Sequence, residues 1–200
     1  MSSQNPGTVF VKEYIDDDEI SIHLLKRHCI FDYAKLPTVT EPKGLDDLLI
    51  AAKSGDLKAV EKSLENGANV NCTDEDENTP LHWAASRGFV DVSSLLISKG
   101  ADIHSQNYRE DTPLHYASQG GFVDVASLLI SKGADIHSQG QWGQTALDVA
   151  EGKAKILLQL VESGVNVSHA LEAAKHCDSL TEAQEYIQSP PLAAATVPIN

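Results

Sequence analysis

The chain repeats itself. From Thr79 to Asn107 it reads TPLHWAASRGFVDVSSLLISKGADIHSQN, and from Thr112 to Gly140 it reads TPLHYASQGGFVDVASLLISKGADIHSQG, with 23 of 29 aligned positions identical. Chance similarity does not reach that level, so the segment is a duplication with a period of 33 residues. A fixed period of this size marks a repeat architecture, in which one unit cannot bury its apolar face alone and stacked neighbours build a continuous core. The period continues in both directions. Thr145 extends the series Thr79, Thr112, and Gly67, Gly100 and Gly133 share the spacing. Upstream, DDLLIAAKSGDLKAVEKSLENGANVN falls in register, with Ala51-Ala52 matching Ala84-Ala85 and Gly55 matching Gly88. Downstream, QTALDVAEGKAKILLQLVESGVNV fits once two residues are lost at the inter-helix turn, and LEAAKHCDSLTEAQEYI (171–187) echoes LIAAKSGDLKAVEKSL (49–64) as a degenerate fifth unit.

Each unit reads as two helices. Leu81, Ala84 and Ala85 recur at i, i+3 and i+4, which puts them on one helical face. Thr79 suits the N-cap and Pro80 the first helical position. Gly88 breaks the chain, and Val92, Leu95 and Leu96 then form the apolar stripe of a second helix. Lys99 complements the dipole in the last turn, and Gly100 can take the left-handed conformation that stops the helix. The alanines let helices of adjacent units approach closely.

TPLHWAA, TPLHYAS, the 33-residue period and GADIH resemble ankyrin repeats over about 44–188. The resemblance implies an all-α solenoid of about five helix-turn-helix units, near 46–78, 79–111, 112–144, 145–167 and 168–188, with projecting β-hairpin loops. It also implies a concave surface of first helices and loop tips where a partner protein binds, as in small stand-alone ankyrin proteins. The sequence departs from the family pattern in places. Asp46-Asp47 stand where Thr-Pro is usual. Glu77 and Glu110 occupy a loop position that usually holds Gly, which Gly143 keeps. If that position needs φ > 0, each Glu costs on the order of 1 kcal/mol. His104 and His137 replace an Asn that Asn71 and Asn166 retain.

Four repeated histidines invite a reading as ligands, but a metal site needs nitrogens converging at about 2.0–2.1 Å from one ion. His82 and His115 hold equivalent positions in adjacent units, and stacked helices lie roughly 8–10 Å apart, so their side chains run parallel. In ankyrin repeats the TPLH histidine bonds the Thr hydroxyl and nearby backbone, and Asp148 in the fourth unit is a hydrogen-bonding substitute. His104 and His137 are expected at the loop base, in a loop hydrogen bond. No G-x-S-x-G, phosphate loop or HExxH occurs. No enzyme activity, cofactor or metal is therefore expected.

In a duplicated scaffold the informative residues are those that differ between copies. One column holds Ile50, Trp83, Tyr116 and Val149, in a slot that the resemblance to ankyrin repeats places beside the concave groove. Trp83 and Tyr116 either anchor a partner or pack between units. Arg87, against Gly120, ends the first helix at the surface. The loop tips vary most: TDEDEN (73–78) carries Asp74, Glu75 and Asp76, QNYRED (106–111) carries Tyr108 and Arg109, and QGQWGQ (139–144) carries Trp142. These nine residues are the partner-binding candidates. The expected function is a protein-protein interaction adaptor; the alternative is a regulatory inhibitor that occludes a partner's active or assembly surface.

Charge narrows the partner. With 15 Lys+Arg against 29 Asp+Glu the net charge is −14, which disfavours nucleic acid and anionic membranes and suits a protein with a basic surface. Three dispersed cysteines without C-x-x-C read as free thiols, and MSSQNPGTVF is no signal peptide, so a monomer in the cytoplasm, or the nucleus, is expected. Residues 1–43 form an N-terminal extension, with a helix expected over 16–35 and a linker at 36–44, which would cap the first unit. The alternatives are a partner-binding peptide or a segment folded over the groove. The Pro/Ala stretch 189–200 reads as a flexible tail.

Overall fold

The helices begin and end where the local chemistry of the repeat demands. In the computed structural model, which describes residues 47–188, nine α-helices follow one another, and no strand occurs among the described residues. They are α1 (Asp47–Ser54), α2 (Leu57–Glu65), α3 (Pro80–Ser86), α4 (Val90–Ser98), α5 (Pro113–Gln119), α6 (Val123–Ser131), α7 (Gly152–Glu162), α8 (Val167–His176) and α9 (Leu180–Gln188). The expected N-terminal cap, 1–43, and the tail, 189–200, lie outside the described residues. Thr79 and Thr112 cap α3 and α5 from extended backbone, each followed by Pro at the helix start. Gly100 ends the α4 unit at φ 91, the left-handed stop read from the sequence.

Helices pair in sequence, and each packs on its counterpart in the next pair, α1 on α3 on α5 and α2 on α4 on α6. Leu48, Leu81 and Leu114 are buried on the inner faces of the first helices, with Ala52, Ala84, Ala85 and Ala117 buried beside them. Each fully buried leucine contributes about 2 kcal/mol, and the alanines set the close approach. The expectation of two helices per unit fails in the fourth. Residues 145–150 make one turn, with the Asp148 and Val149 N–H groups donating to the Thr145 carbonyl, before the chain passes into α7. Ala146 replaces the helix-starting proline, and the two lost residues leave no room for a second turn. The Glu151 N–H instead donates to the Ser118 carbonyl at 2.9 Å and ties this turn to the preceding unit.

The projecting loops are shorter than the expected β-hairpins. Each is closed at its base by a backbone bond, Asp74 N–H to Asn78 O at 3.1 Å, Asn107 N–H to Asp111 O at 3.1 Å, and Gly140 N–H to Gln144 O at 2.8 Å, with a second inside it, from the N–H of Glu77, Glu110 and Gly143 to the carbonyl of Asp74, Asn107 and Gly140. A β-bridge, Gln139 with Thr145, accompanies the third. Glu77 and Glu110 do stand at positive φ, 61° and 63°, and so does Trp142 at 61°. Relieving that backbone by Glu110→Gly is expected to raise stability by about 1 kcal/mol, measured by urea denaturation; no gain would mean the tip adapts freely.

Among the described residues two buried hydroxyls, on Ser93 and Ser118, have no hydrogen-bond partner. The repeat supplies its own replacements: Val60 and Ala126 stand where Ser93 does, and Ala85 where Ser118 does. Ser93→Ala and Ser118→Ala should each stabilise the fold by about 1 kcal/mol, because an unsatisfied buried polar group is removed; the change in denaturation midpoint is the measure. Cys177 is a free, buried thiol, as read. Cys72, also buried, is disulfide-bonded, which corrects its reading as a free thiol.

Candidate functional site

The TPLH histidines are structural, and they do more than lock their own turn. The Thr79 N–H donates to His82 Nδ1 at 3.0 Å and the Thr79 hydroxyl lies 2.9 Å from the same nitrogen. Nδ1 is therefore an acceptor, and Nε2 carries the proton it donates to the Asp111 carbonyl of the next unit at 3.0 Å. His115 repeats the pattern with Thr112 and the Gln144 carbonyl. Burial of the imidazole lowers the His82 pKa to about 4. Asp148 accepts from the Thr145 N–H and hydroxyl, each at 2.8 Å, as a hydrogen-bonding substitute should. Having no proton to donate onward, it ends the ladder, and these bonds hold its pKa below the usual range. At the loop bases the hydrogen bonds come from the His104 and His137 backbone N–H groups to Asp102 and Asp135, and both imidazoles are exposed. Among the described residues, no three His, Cys, Asp or Glu side chains are placed to hold a metal ion.

The column of Ile50, Trp83, Tyr116 and Val149 is built on the loop tips. Asp74 Oδ1 accepts the N–H groups of Asp76 at 3.1 Å and Asn78 at 2.9 Å, which folds the first tip. Its Oδ2 accepts the Trp83 Nε1–H at 2.7 Å. One unit on, Asn107 Oδ1 accepts from the Arg109 and Asp111 N–H groups, while Nδ2 donates to the Tyr116 hydroxyl at 2.9 Å and to buried Asn78 at 2.8 Å. The Tyr116 hydroxyl donates to Asn78 Oδ1, its ring stands edge-on to His82 at 5.8 Å, and burial raises its pKa. In the third unit Gly140 has no side chain, and Asp111 Oδ1 accepts the Gln141 N–H instead. Trp83 and Tyr116 pack against the core, the second of the two readings given for them, and remain half-exposed. Ile50, at the head of the column, is 57% exposed.

The other candidates fall into separate groups. Glu75 and Asp76 are exposed on the first tip, and the Asp76 carbonyl accepts the Tyr108 N–H at 3.2 Å, joining first tip to second. Tyr108 and Arg109 form a local pair: Arg109 Nε–H donates to the Tyr108 hydroxyl and the guanidinium lies 5.1 Å from the ring centroid. Trp142, on the third tip, is 84% exposed. Arg87 is exposed at the C-cap of α3 and stands apart from the tips. One participant escaped the sequence reading: Lys53 on α1 places Nζ 4.0 Å from the Trp83 ring centroid and 3.7 Å from Asp74 Oδ2. The signal was present, since Lys53 is replaced by Ser86 and Gln119 in the next two units.

Stacked helix pairs with small buried faces and polar tips define an all-α repeat solenoid. The family model for ankyrin repeats (3 copies) matches residues 48–140 and 100–170, and the chain belongs to the ankyrin repeat family. It is 49% identical over 53 residues to the 26S proteasome non-ATPase regulatory subunit 10 of Dictyostelium discoideum, covering 26% of this chain and 23% of that protein. It is 42% identical over 57 residues to the protein phosphatase 1 regulatory subunit 27 of Mus musculus, covering 28% of this chain and 37% of that one. An ankyrin repeat protein of Rickettsia felis is 37% identical over 59 residues, covering 29% of this chain and 89% of its own length. The matches therefore span well under half of the first two relatives. Ankyrin repeats mark the chain as a protein-protein interaction module.

Proposed function

We propose that this chain is a non-enzymatic adaptor that takes a partner protein, one with a basic surface, on its concave face and loop tips. Trp142 carries the reading. Its indole is 84% exposed on a turn where Trp142 and Gly143 both have positive φ. Such two-residue turns favour Asn-Gly, and a bulky residue there is strained. Nothing in the chain's own packing calls for a tryptophan at that point, whereas an exposed aromatic is a favoured interface anchor.

The test compares proteins captured by the full chain with those captured by an Ile50→Ser/Tyr108→Ala/Trp142→Ala variant. These three side chains are exposed, whereas Tyr116→Ala would also break the Asn78–Asn107 network. We expect the variant to keep its circular dichroism spectrum and to lose the partner. A Lys99→Ala/Lys132→Ala control should retain it. Partner recovery unchanged by the triple substitution would sink the proposed surface.

A second reading, a regulatory subunit that occludes a partner's working surface, is favoured by the names of two relatives, both regulatory subunits. Assaying the captured partner's activity separates the two, because an adaptor leaves it intact.

A further inference from the structure

We propose that Asp74 and Trp83 form a binding site for a Lys or Arg side chain of the partner, occupied in the free protein by the chain's own Lys53 and vacated when the partner binds. The proposal rests on the reading that the concave face takes a protein partner, and it names what that partner inserts. An ammonium 4.0 Å from an indole centroid and 3.7 Å from a carboxylate oxygen has the two contacts by which proteins recognise organic cations.

The receptor is rigid and its occupant is loose. Asp74 is fixed by two backbone N–H groups through Oδ1 and by the Trp83 indole through Oδ2. Lys53 reaches the site on a flexible four-carbon stem, its side chain is 39% exposed, and its distance to the carboxylate exceeds hydrogen-bond length. The arrangement occurs once in the repeat. Lys53 is followed by Ser86 and Gln119, Asp74 by Asn107 and Gly140, and Trp83 by Tyr116 and Val149. A scaffold requirement would recur in each copy, as the TPLH histidine recurs in two; this trio does not. Its neighbours extend the same chemistry. Glu75 and Asp76 are exposed on the tip that Asp74 folds, and exposed Ile50 lies one helical turn before Lys53. A basic side chain followed by an aliphatic one would meet both.

The chain has two tryptophans, so its indole N–H spectrum holds two signals, and a Trp142→Phe protein assigns that of Trp83. The probes are Nα-acetyl-arginine methylamide and its neutral isostere, Nα-acetyl-citrulline methylamide, titrated against the full-length protein. Lys53→Ser, the residue found there in the next unit, removes the internal competitor. If Lys53 fills the site about nine-tenths of the time, the arginine probe binds about tenfold more tightly to Lys53→Ser than to the natural chain. The citrulline probe should move the Trp83 signal in neither protein. Asp74→Asn added to Lys53→Ser keeps the Oδ1 acceptor that folds the tip, as Asn107 does in the next unit, removes the charge and the acceptor facing the indole, and should abolish arginine binding. Equal affinity of the arginine probe for the natural and Lys53→Ser proteins would overturn the proposal. So would equal binding of citrulline, or arginine binding that survives Asp74→Asn. If partner capture depends on the exposed triple while the arginine probe fails, this inference falls and the interaction reading stands.

Discussion

Acidification from pH 7 to pH 4 is expected to remove about 3 kcal/mol of folding stability through His82 alone. The imidazole is 1% exposed and its pKa in the fold is about 4, below the ordinary 6.5. Burial is the main cause. The hydrogen bond to the Asp111 carbonyl and the Asp74 and Asp111 charges oppose it without overcoming it, while Nδ1 accepts the Thr79 N–H, so that a proton there would face a donor. Between the two pKa values the unfolded chain binds a proton that the folded chain refuses. The stabilisation is therefore complete above 6.5, is lost as pH falls towards 4, and falls no further through this group below that. Urea denaturation of the natural protein and His82→Gln across this range isolates the effect, since carboxylates titrate in both. The variant should be less stable by about 3 kcal/mol at pH 7, having lost buried hydrogen bonds, and the gap should narrow on acidification. A gap that does not change with pH would falsify the assignment.

The histidine ladder shows how far the sequence could be read. The Thr79–His82 bond was expected from the resemblance to ankyrin repeats, and Asp148, a hydrogen-bonding substitute in the fourth unit, agrees with it. The bond from Nε2 to the next unit was not legible, because it depends on how adjacent units stack. Asp74 shows the opposite difficulty. In the run TDEDEN its charge places it among the partner-binding candidates. The structure makes it the residue that folds the tip, and the alignment held the clue: Asp74 and Asn107 share a column, and Asp and Asn share the ability to bond backbone N–H groups two residues on. Trp142 was visible as an exposed aromatic, but its left-handed backbone was not, since the family position for positive φ is that of Gly143. The fourth unit shows what deletion does: the two missing residues were countable, yet only packing decides that the first helix shrinks to a turn.

Gly88→Ala is expected to cost about 3 kcal/mol, against about 1 kcal/mol for Gly100→Ala. Both glycines have positive φ, 73° and 91°, so both substitutions carry the left-handed penalty. Their surroundings differ. A Cβ on Gly100 would meet nothing within 4 Å, whereas one on Gly88 would stand 2.5 Å from Phe122 Cδ1. The Phe122 ring cannot retreat towards its own unit, because it already covers Gly120 closely. Phe89 sits over Gly55 in the same way one unit earlier, so the glycine of each of these turns is a socket for the next unit's phenylalanine. The excess cost should therefore belong to the pair and not to Gly88. In a double-mutant cycle, Phe122→Leu should make Gly88→Ala cheaper by about 1–2 kcal/mol, with no such coupling to Gly100→Ala. Equal costs for the two glycine substitutions in the natural background would show that the penalty is backbone strain alone. The socket also bears on binding: it fixes how each unit seats on the last, and so the spacing of Ile50, Trp83 and Tyr116 along the groove.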